Sequence, residues 1–399
     1  MNEPRPKKSN CPYCGDADVN HLASFIEGCL SSSADWAASV TGYRFPSFFE
    51  RLADKFPEII FSFLSFIKVA RFSGDINKVA SYRSRIVWEE ANRRNIKIEQ
   101  AIIGNYPLEF YRAHLNGRWF YFQSLPIPPR FLNNSDRWDD KILLKHALEE
   151  AGIPTPRFTG LSIFSRRSRR LTSGQIFEKL GTPLVVKPRD GSRGRHTTTN
   201  IQTAEDLITA INRAKKISPR LAIEEHLDGD VCRATVINNV LAGLYRASPP
   251  SIVGDGLKKI TELIEEKNAH RHKRVEPIVV SKEIKEHIAR SGYLLDDILP
   301  KGLRLYLTHR IGRFYGGETE EMIDKLHPSF IPILKRAANV LNITVAGFDC
   351  VIPDPTQDAV SQRWGIIECN TLPFIDLHYF ALKGKPRNIA GMIWDLWKI

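Results

Sequence analysis

The sequence is short of what several protein classes require. Six cysteines in 399 residues make no disulfide framework and fit a reducing, cytoplasmic location. Met1–Asn10 is polar and holds no apolar core of a signal segment. Long hydrophobic runs are missing as well. The longest apolar-rich stretch, Ile59–Ala70, is broken by Ser62, Ser65 and Lys68 and falls short of the ~20 residues that span a bilayer. The Phe and Leu spacing of Phe48–Phe72 predicts a buried helix there, with membrane-surface contact as the lesser reading. No internal repeat or low-complexity tract is present. No Ser/His/Asp or Cys/His set stands out as a nucleophilic apparatus. Cys232, Cys350 and Cys369 fall in predicted strands and read as small core residues.

What is present is positive charge, unevenly placed. Lys and Arg total 57 against 45 Asp and Glu, a net of +12. Residues 1–81 hold nine basic and nine acidic side chains, whereas 82–180 hold 17 basic and 10 acidic. Such a balance suits a polyanionic partner without choosing between nucleic acid, nucleotide and acidic metabolite. The densest run, Arg166, Arg167, Arg169 and Arg170, reads as a solvated loop face.

Local signals give a coarse map. Residues 1–80 read as a mostly helical extension closed by Ser73-Gly74-Asp75. Ser84–Asn95 reads as a helix and Ile96–Ile103 as a strand. Asn116-Gly117 between Tyr111–Leu115 and Trp119–Gln123 signals a hairpin. Pro126–Pro129 reads as a linker. A helix at Asp140–Ala151 ends at Gly152. Val185–Lys187 is a short strand, and Thr203 caps a helix to Ala214. Strands follow at Ala222–Glu225, Arg233–Ile237 and Val240–Arg246, the last two joined by Asn238-Asn239. Helices at about 258–267 and 329–341 precede strands at about 345–352 and 364–370. Hairpin-joined strands mixed with helices predict an α+β fold rather than a doubly wound sheet.

Four constellations carry chemistry. Asp349, in Gly347-Phe348-Asp349, and Glu368 with Asn370, in Glu368-Cys369-Asn370, lie on neighbouring predicted strands. Residues two apart in a strand share a face. A hairpin over the loop 353–363 would set Asp349 across from Glu368 and Asn370, a hard-oxygen set suited to Mg²⁺; exposed strand residues are the alternative. Val186-Lys187-Pro188 runs into Asp190-Gly191-Ser192-Arg193-Gly194-Arg195, where glycine backbone amides can approach phosphate oxygens and Lys187 supplies charge. No Gly-Lys-Ser/Thr closes it, so it is no Walker A motif, and it also fits an ordinary loop. Asp140-Lys141, with Lys145 one turn on, opens a helix; acid-to-lysine spacing of this kind is common on surface helices. Glu224-Glu225-His226-Leu227-Asp228-Gly229-Asp230 runs from a strand into a turn, able to face an adenine and ribose or to be a plain sheet edge.

In this order along the chain, these elements resemble the ATP-grasp ligases, in particular the ATP-grasp portion of cyanophycin synthetase and the glutathione-synthetase-like domain of the bifunctional glutathione-forming enzymes. Ala151-Gly152-Ile153-Pro154-Thr155-Pro156, Val253-Gly254-Asp255-Gly256 with Ile260–Ile264, Gly316-Gly317 before His327-Pro328, Thr371-Leu372-Pro373 and Gly384–Gly391 extend the similarity over 136–399. The resemblance implies an ATP-grasp catalytic domain there, preceded by a small α/β segment at 81–135. It implies an ATP-dependent carboxylate–amine ligase acting through an acyl phosphate, with ATP and Mg²⁺ or Mn²⁺ as cofactors and amino-acid or peptide substrates. Lys141, Lys187, Gly191, Ser192 and Gly194 would contact phosphates; Glu224, Glu225 and Leu227 would form the adenine segment. Asp349, Glu368 and Asn370 would hold the metal. Arg233, with Lys187, would act on the acyl phosphate or the substrate carboxylate.

Departures accompany the resemblance. Val231 stands where relatives place an acidic ribose contact, and Asn268–Arg274 lacks the proline of the relatives' Pro-Arg-Arg stretch. The chain stops at Ile399 without a counterpart of cyanophycin synthetase's third domain, so the two-site route to cyanophycin is not expected. Arg233, Arg246, Arg304 and Arg310 fit carboxylate-bearing substrates as well as ion pairs. A basic nucleic-acid-binding protein, or an ATP-grasp fold used for binding alone, are the competing readings. Neither a nucleic-acid partner nor a membrane span is expected, and a homo-oligomer stays open. Cys11-Pro12-Tyr13-Cys14, with His21 and Cys29 downstream, has the thiolate spacing of a zinc knuckle; plain thiols near a terminus are the alternative.

Overall fold

The structure is a computed structural model and describes residues 11, 13, 14, 20–26, 29, 70–79, 81–132, 135–165, 172–191 and 194–398. The apolar stretch up to residue 69, the run Arg166–Arg170, and Ser192 with Arg193 lie outside the described residues. Among the described residues, no helix is long and apolar enough to cross a membrane.

Among the described residues, three antiparallel sheets of four or five strands and one two-stranded ribbon carry the chain. The first has β1 (Ala70–Ser73), β2 (Lys97–Ile103), β3 (Tyr106–Leu115) and β4 (Arg118–Gln123) side by side in that order. Helix α1 (Tyr82–Arg93), capped by Ser81, covers it. Asn116 and Gly117 have φ of 49° and 77°, the paired left-handed residues a tight hairpin turn demands. One expectation fails here. Ala70–Phe72, read from sequence as the end of a helix, is strand, because β1 pairs with β2 in register Phe72↔Ala101. The ring of Phe72 lies under the Arg112 guanidinium at 3.9 Å, a long-range contact that local spacing does not report.

Helix α2 (Lys141–Glu150) follows, with Asp140 accepting from the backbone N–H groups of Ile142 and Leu143 at 2.9 and 3.0 Å. The second sheet holds β5 (Phe158–Ser162), β6 (Leu184–Pro188), β7 (Thr198–Ile201) and β8 (Arg220–Glu225), in spatial order β5-β8-β6-β7. Helices α3 (Ser173–Leu180) and α4 (Ala204–Ala214) pack on it through Ile176, Leu180, Leu207 and Ala210.

The third sheet begins with β9 (Asp230–Ile237) and β10 (Val240–Ala247), joined at Asn238 and Asn239, whose φ values are 45° and 61°. A ribbon of β11 (Ser251–Val253) and β12 (Arg304–Tyr306), with α5 (Ile260–Ala269) and α6 (Lys282–Arg290), forms a separate apolar cluster. Strands β13 (Thr319–Glu321), β14 (Val345–Ile352) and β15 (Gly365–Asn370) complete the sheet in the order β13-β10-β9-β14-β15. Between β8 and β9 the chain turns at Gly229, φ 131°, where an added Cβ would lie 2.5 Å from the Ile352 backbone. Only glycine fits both that conformation and that approach.

Helix α7 (Phe330–Val340) and α2 cover the third sheet and share its core. Phe330, fully buried, meets Trp364 edge to face at 4.9 Å between centroids. The C-terminal helices α8 (Leu377–Phe380) and α9 (Ile389–Asp395) return to the first sheet, where Trp394 Nε1 donates to the Val87 carbonyl at 3.0 Å. Phe330→Ala would remove the ring on which Trp364 packs and leave a void. It should cost about 3–5 kcal/mol, read as a lowered urea midpoint with an unchanged m-value.

Candidate active site

The site is assembled by register. Val185 of β6 faces Glu224 of β8, and Lys187 sits two residues on from Val185. Lys187 and Glu224 are therefore diagonal neighbours on one sheet face, and Lys187 Nζ meets Glu224 Oε2 at 3.0 Å. The second oxygen, Oε1, meets Lys145 Nζ at 2.9 Å. Lys145 is fully buried and reaches from α2; its ammonium also donates to the Ile367 carbonyl of β15 at 2.9 Å. One carboxylate between two ammoniums thus ties together α2, both central strands of the second sheet and the edge strand of the third. Burial drives the Lys145 ammonium down to about 8, against the pull of Glu224. Burial also pushes the Glu224 carboxyl up, but the two lysines outweigh it and hold it below the ordinary range.

Ile367 is available to Lys145 because the β14–β15 ladder slips. Asp349 pairs with Glu368 and Cys350 with Ile366, which leaves Ile367 without a partner. Such a bulge frees a carbonyl from the ladder. Across the same sheet Arg233, Asp349 and Glu368 lie in one row on β9, β14 and β15. Arg233 Nε and Nη2 donate to Asp349 Oδ1 and Oδ2 at 2.5 and 2.8 Å. Asn370 Nδ2 lies 3.5 Å from Asp349 Oδ2. Gly347 stands opposite Asn370 and Thr235; a Cβ there would meet Arg233 Cδ at 3.0 Å and Pro373 at 2.7 Å. Its bare backbone makes room for the guanidinium.

This donor set fits a hard divalent cation. Asp349, Glu368 and the Asn370 amide offer oxygen ligands on one face, and a carboxylate holding a bidentate arginine keeps further lone pairs. Arg233 Nη1 is buried with no hydrogen-bond partner among the described residues, which fits an anion alongside. The expectation that Asp349 faces Glu368 and Asn370 is met.

The loop after β6 is held from its start. Lys141, buried at the first turn of α2, donates through Nζ to the Gly191 carbonyl at 2.5 Å. Arg189 Nε donates to both oxygens of Asp140 at 2.7 Å, and Arg220 Nη2 to Asp190 at 2.9 Å. Gly194 has φ 63° and its carbonyl lies 3.4 Å from His309 Nε2. Ser192 lies outside the described residues. A cavity of about 500 Å³ opens beside the segment after β8, lined by Glu225, Leu227, Thr182, Pro183, Arg157 and Arg363 among others. Glu225 is ion-paired with Arg157 and Arg363.

Sequence reading and structure part at several residues. Glu224, expected at the adenine edge, sits between the two lysines, while Glu225 and Leu227 line the cavity. Lys145 is the residue that sequence reasoning passed over. Its spacing from Asp140-Lys141 looked like a surface-helix pair, and only its contacts with β8 and β15 show otherwise. Arg246 and Arg310 are held by Glu320 and Glu283, so these two fall on the ion-pair side of their reading. Cys232, Cys350 and Cys369 are buried, which raises their thiol pKa values well above the usual range. Cys11 and Cys14 meet His21 and His196 in a cluster of their own.

No protein-family model matches the chain. It is 31% identical over 265 residues to the cyanophycin synthetase of Synechocystis sp., covering 64% of this chain and 30% of that protein. It is 28% identical over 265 residues to a bifunctional glutathione biosynthesis protein of Desulfotalea psychrophila, covering 64% and 33%. The chain thus spans about a third of the length of these relatives. Among solved structures, it superimposes on a bifunctional glutathione synthetase from Pasteurella multocida with a TM-score of 0.51 at 21% identity, covering 79% of this chain and 44% of that one. The fold is the α+β fold of the ATP-grasp ligases.

Two measurements probe the buried cluster. Glu224→Gln strands two ammoniums without an anion and should cost about 3–5 kcal/mol in the nucleotide-free protein, by urea unfolding. A residue that served only a nucleotide would leave that stability unchanged. The ammonium of Lys145 titrates near 8 when folded against 10.5 ordinarily, so between those values the unfolded chain holds more protons. Folding stability of the wild type, relative to Lys145→Met, should therefore rise from pH 8 towards pH 10, by urea midpoints at each pH.

Proposed function

We propose that the chain is an ATP-dependent carboxylate–amine ligase that forms an amide or peptide bond on amino-acid or peptide substrates. The observation that carries this reading is Lys145. It joins the Lys187–Glu224 pair to the strand bearing Glu368, so that a cationic cradle and a set of oxygen ligands converge from two sheets.

The chemistry needs no protein nucleophile. A substrate carboxylate attacks the terminal phosphorus of ATP, giving an acyl phosphate and ADP. An amine then attacks the acyl carbon, phosphate leaves, and the amine gives up a proton. The chain's contribution is positioning and charge neutralisation. Lys141 and Lys187 bind phosphate oxygens, with the amides of Gly191, Ser192 and Gly194. Glu225 and Leu227 border the cavity that accepts the base, and Glu224 keeps Lys145 and Lys187 charged and aimed. Arg233 turns Nη1 to the transferred phosphoryl group or the substrate carboxylate while Asp349 fixes its plane. Asp349, Glu368 and Asn370 hold Mg²⁺ or Mn²⁺, which neutralises phosphate charge when bound. No part of this chemistry falls to zinc at Cys11 and Cys14. Residues 136–399 are the catalytic unit in this reading, with the α/β segment at 81–135 before it. A cytoplasmic location, where ATP is supplied, goes with it.

A panel of amino acids and dipeptides scored by mass spectrometry should yield an ATP-dependent condensation product that is lighter by one water than the sum of its substrates. Lys187→Ala and Glu368→Ala should each lower substrate-dependent ADP release by about 10²-fold or more. Turnover like the wild type in both would overturn the reading.

A further inference from the structure

We infer that Cys11, Cys14, His21 and His196 form a structural zinc site that fastens the N-terminal knuckle to the far end of the loop after β6. The four side chains offer one ligand atom each, all within 4.8 Å of one another. Cys14 Sγ lies 3.1 Å from His21 Nε2 and 3.4 Å from His196 Nε2, and Cys11 Sγ lies 3.7 Å from His196 Nε2. A tetrahedral zinc with bonds of about 2.3 Å to sulfur and 2.0–2.1 Å to nitrogen sets such S···N pairs about 3.6 Å apart. Two thiolates and two imidazoles are the donor set of a closed, structural zinc centre, with no position left for a substrate.

The surroundings prepare each ligand. Cys14 N–H donates to the Cys11 carbonyl at 3.1 Å, closing the turn that brings both sulfurs to one side. His196 Nδ1 pairs with the Arg213 carbonyl at 2.9 Å. That bond places the ring proton on Nδ1 and leaves Nε2 bare toward the sulfurs, the usual support of a metal-bound histidine. His196 holds a left-handed backbone, φ 49°, unusual outside glycine. Its N–H donates to the Tyr13 carbonyl at 2.9 Å, which also accepts from Arg310 at 3.3 Å. Tyr13 OH donates to Glu286 at 3.1 Å, and its ring lies 3.9 Å beneath the Arg213 guanidinium. The knuckle is thus built into the ground between α4 and α6. Cys29, the other candidate ligand in the sequence, stands outside the cluster.

The consequence lies in the loop. Gly191 is held by Lys141 at the start, and His196 would be held by the metal at the end. The segment between them would then span two fixed points. The metal site stands on its four side chains and is independent of the ligase reading.

The test uses the full-length protein. Reconstituted with zinc and desalted, it should hold one equivalent by elemental analysis. Cobalt(II) in its place should give sulfur-to-metal charge-transfer bands and the intense visible bands of a tetrahedral centre. His196→Gln keeps both thiols and should weaken zinc binding at least about tenfold in competition with a chromophoric chelator. Cys14→Ser leaves Cys11 as the remaining thiolate and should lower the charge-transfer intensity to about that of a single sulfur ligand. Amide exchange over residues 194–200 should be slower with zinc than after chelation. Substoichiometric zinc with no cobalt spectrum would overturn the site. Wild-type affinity in His196→Gln would overturn the role of the loop, as would equal exchange with and without metal.

Discussion

The candidate site hangs on a carboxylate shared by two buried lysines. Isolated, any of Lys145, Lys187 or Glu224 would be too costly to bury as a charge. Together they form a chain of contacts in which each desolvated group has a partner, and the last hydrogen bond lands on the Ile367 carbonyl. An arrangement like this is weak evidence for stability compared with an apolar core. Its value lies in orientation. A lysine that must sit against Glu224 cannot wander, and its neighbour on the strand is aimed by the same anion.

The second constraint is the row Arg233–Asp349–Glu368. Two acids and one base in register across three strands leave one negative charge uncompensated. A divalent ion entering among Asp349, Glu368 and Asn370 would share the Asp349 carboxylate with Arg233 through its remaining lone pairs and leave the guanidinium less fully compensated. Its Nη1 is buried and has no hydrogen-bond partner among the described residues. The basic excess of residues 82–399 thus includes charges already matched within the fold, such as Arg246 and Arg310, alongside the Arg233 guanidinium, whose Nη1 is not.

Much of the architecture was legible because its signals are local. Asn116-Gly117 and Asn238-Asn239 take the left-handed conformations their residue types favour. Asp140 and Thr203 cap the helices they precede. Two-residue spacing in Glu368-Cys369-Asn370 was enough to place both ligand candidates on one face. What escaped was set by partners far along the chain. Lys145 takes its role from Glu224 and from a carbonyl released by a bulge, neither of which spacing announces. Phe72 is strand because β2 lies beside it. His196 reads as one more polar residue of a loop until Cys14, 182 positions earlier, is found against it.

The loop between β6 and β7 shows why such distant contacts matter more than local propensity. A loop tied at one end alone keeps more conformational entropy to lose on ordering than one tied at both. Here the start is fixed by Lys141, Asp140–Arg189 and Asp190–Arg220, and the end by His196 against Tyr13. The contact at the end comes from Tyr13, far away along the chain, so the N-terminal knuckle and the β6–β7 loop are joined by a contact that no local propensity announces.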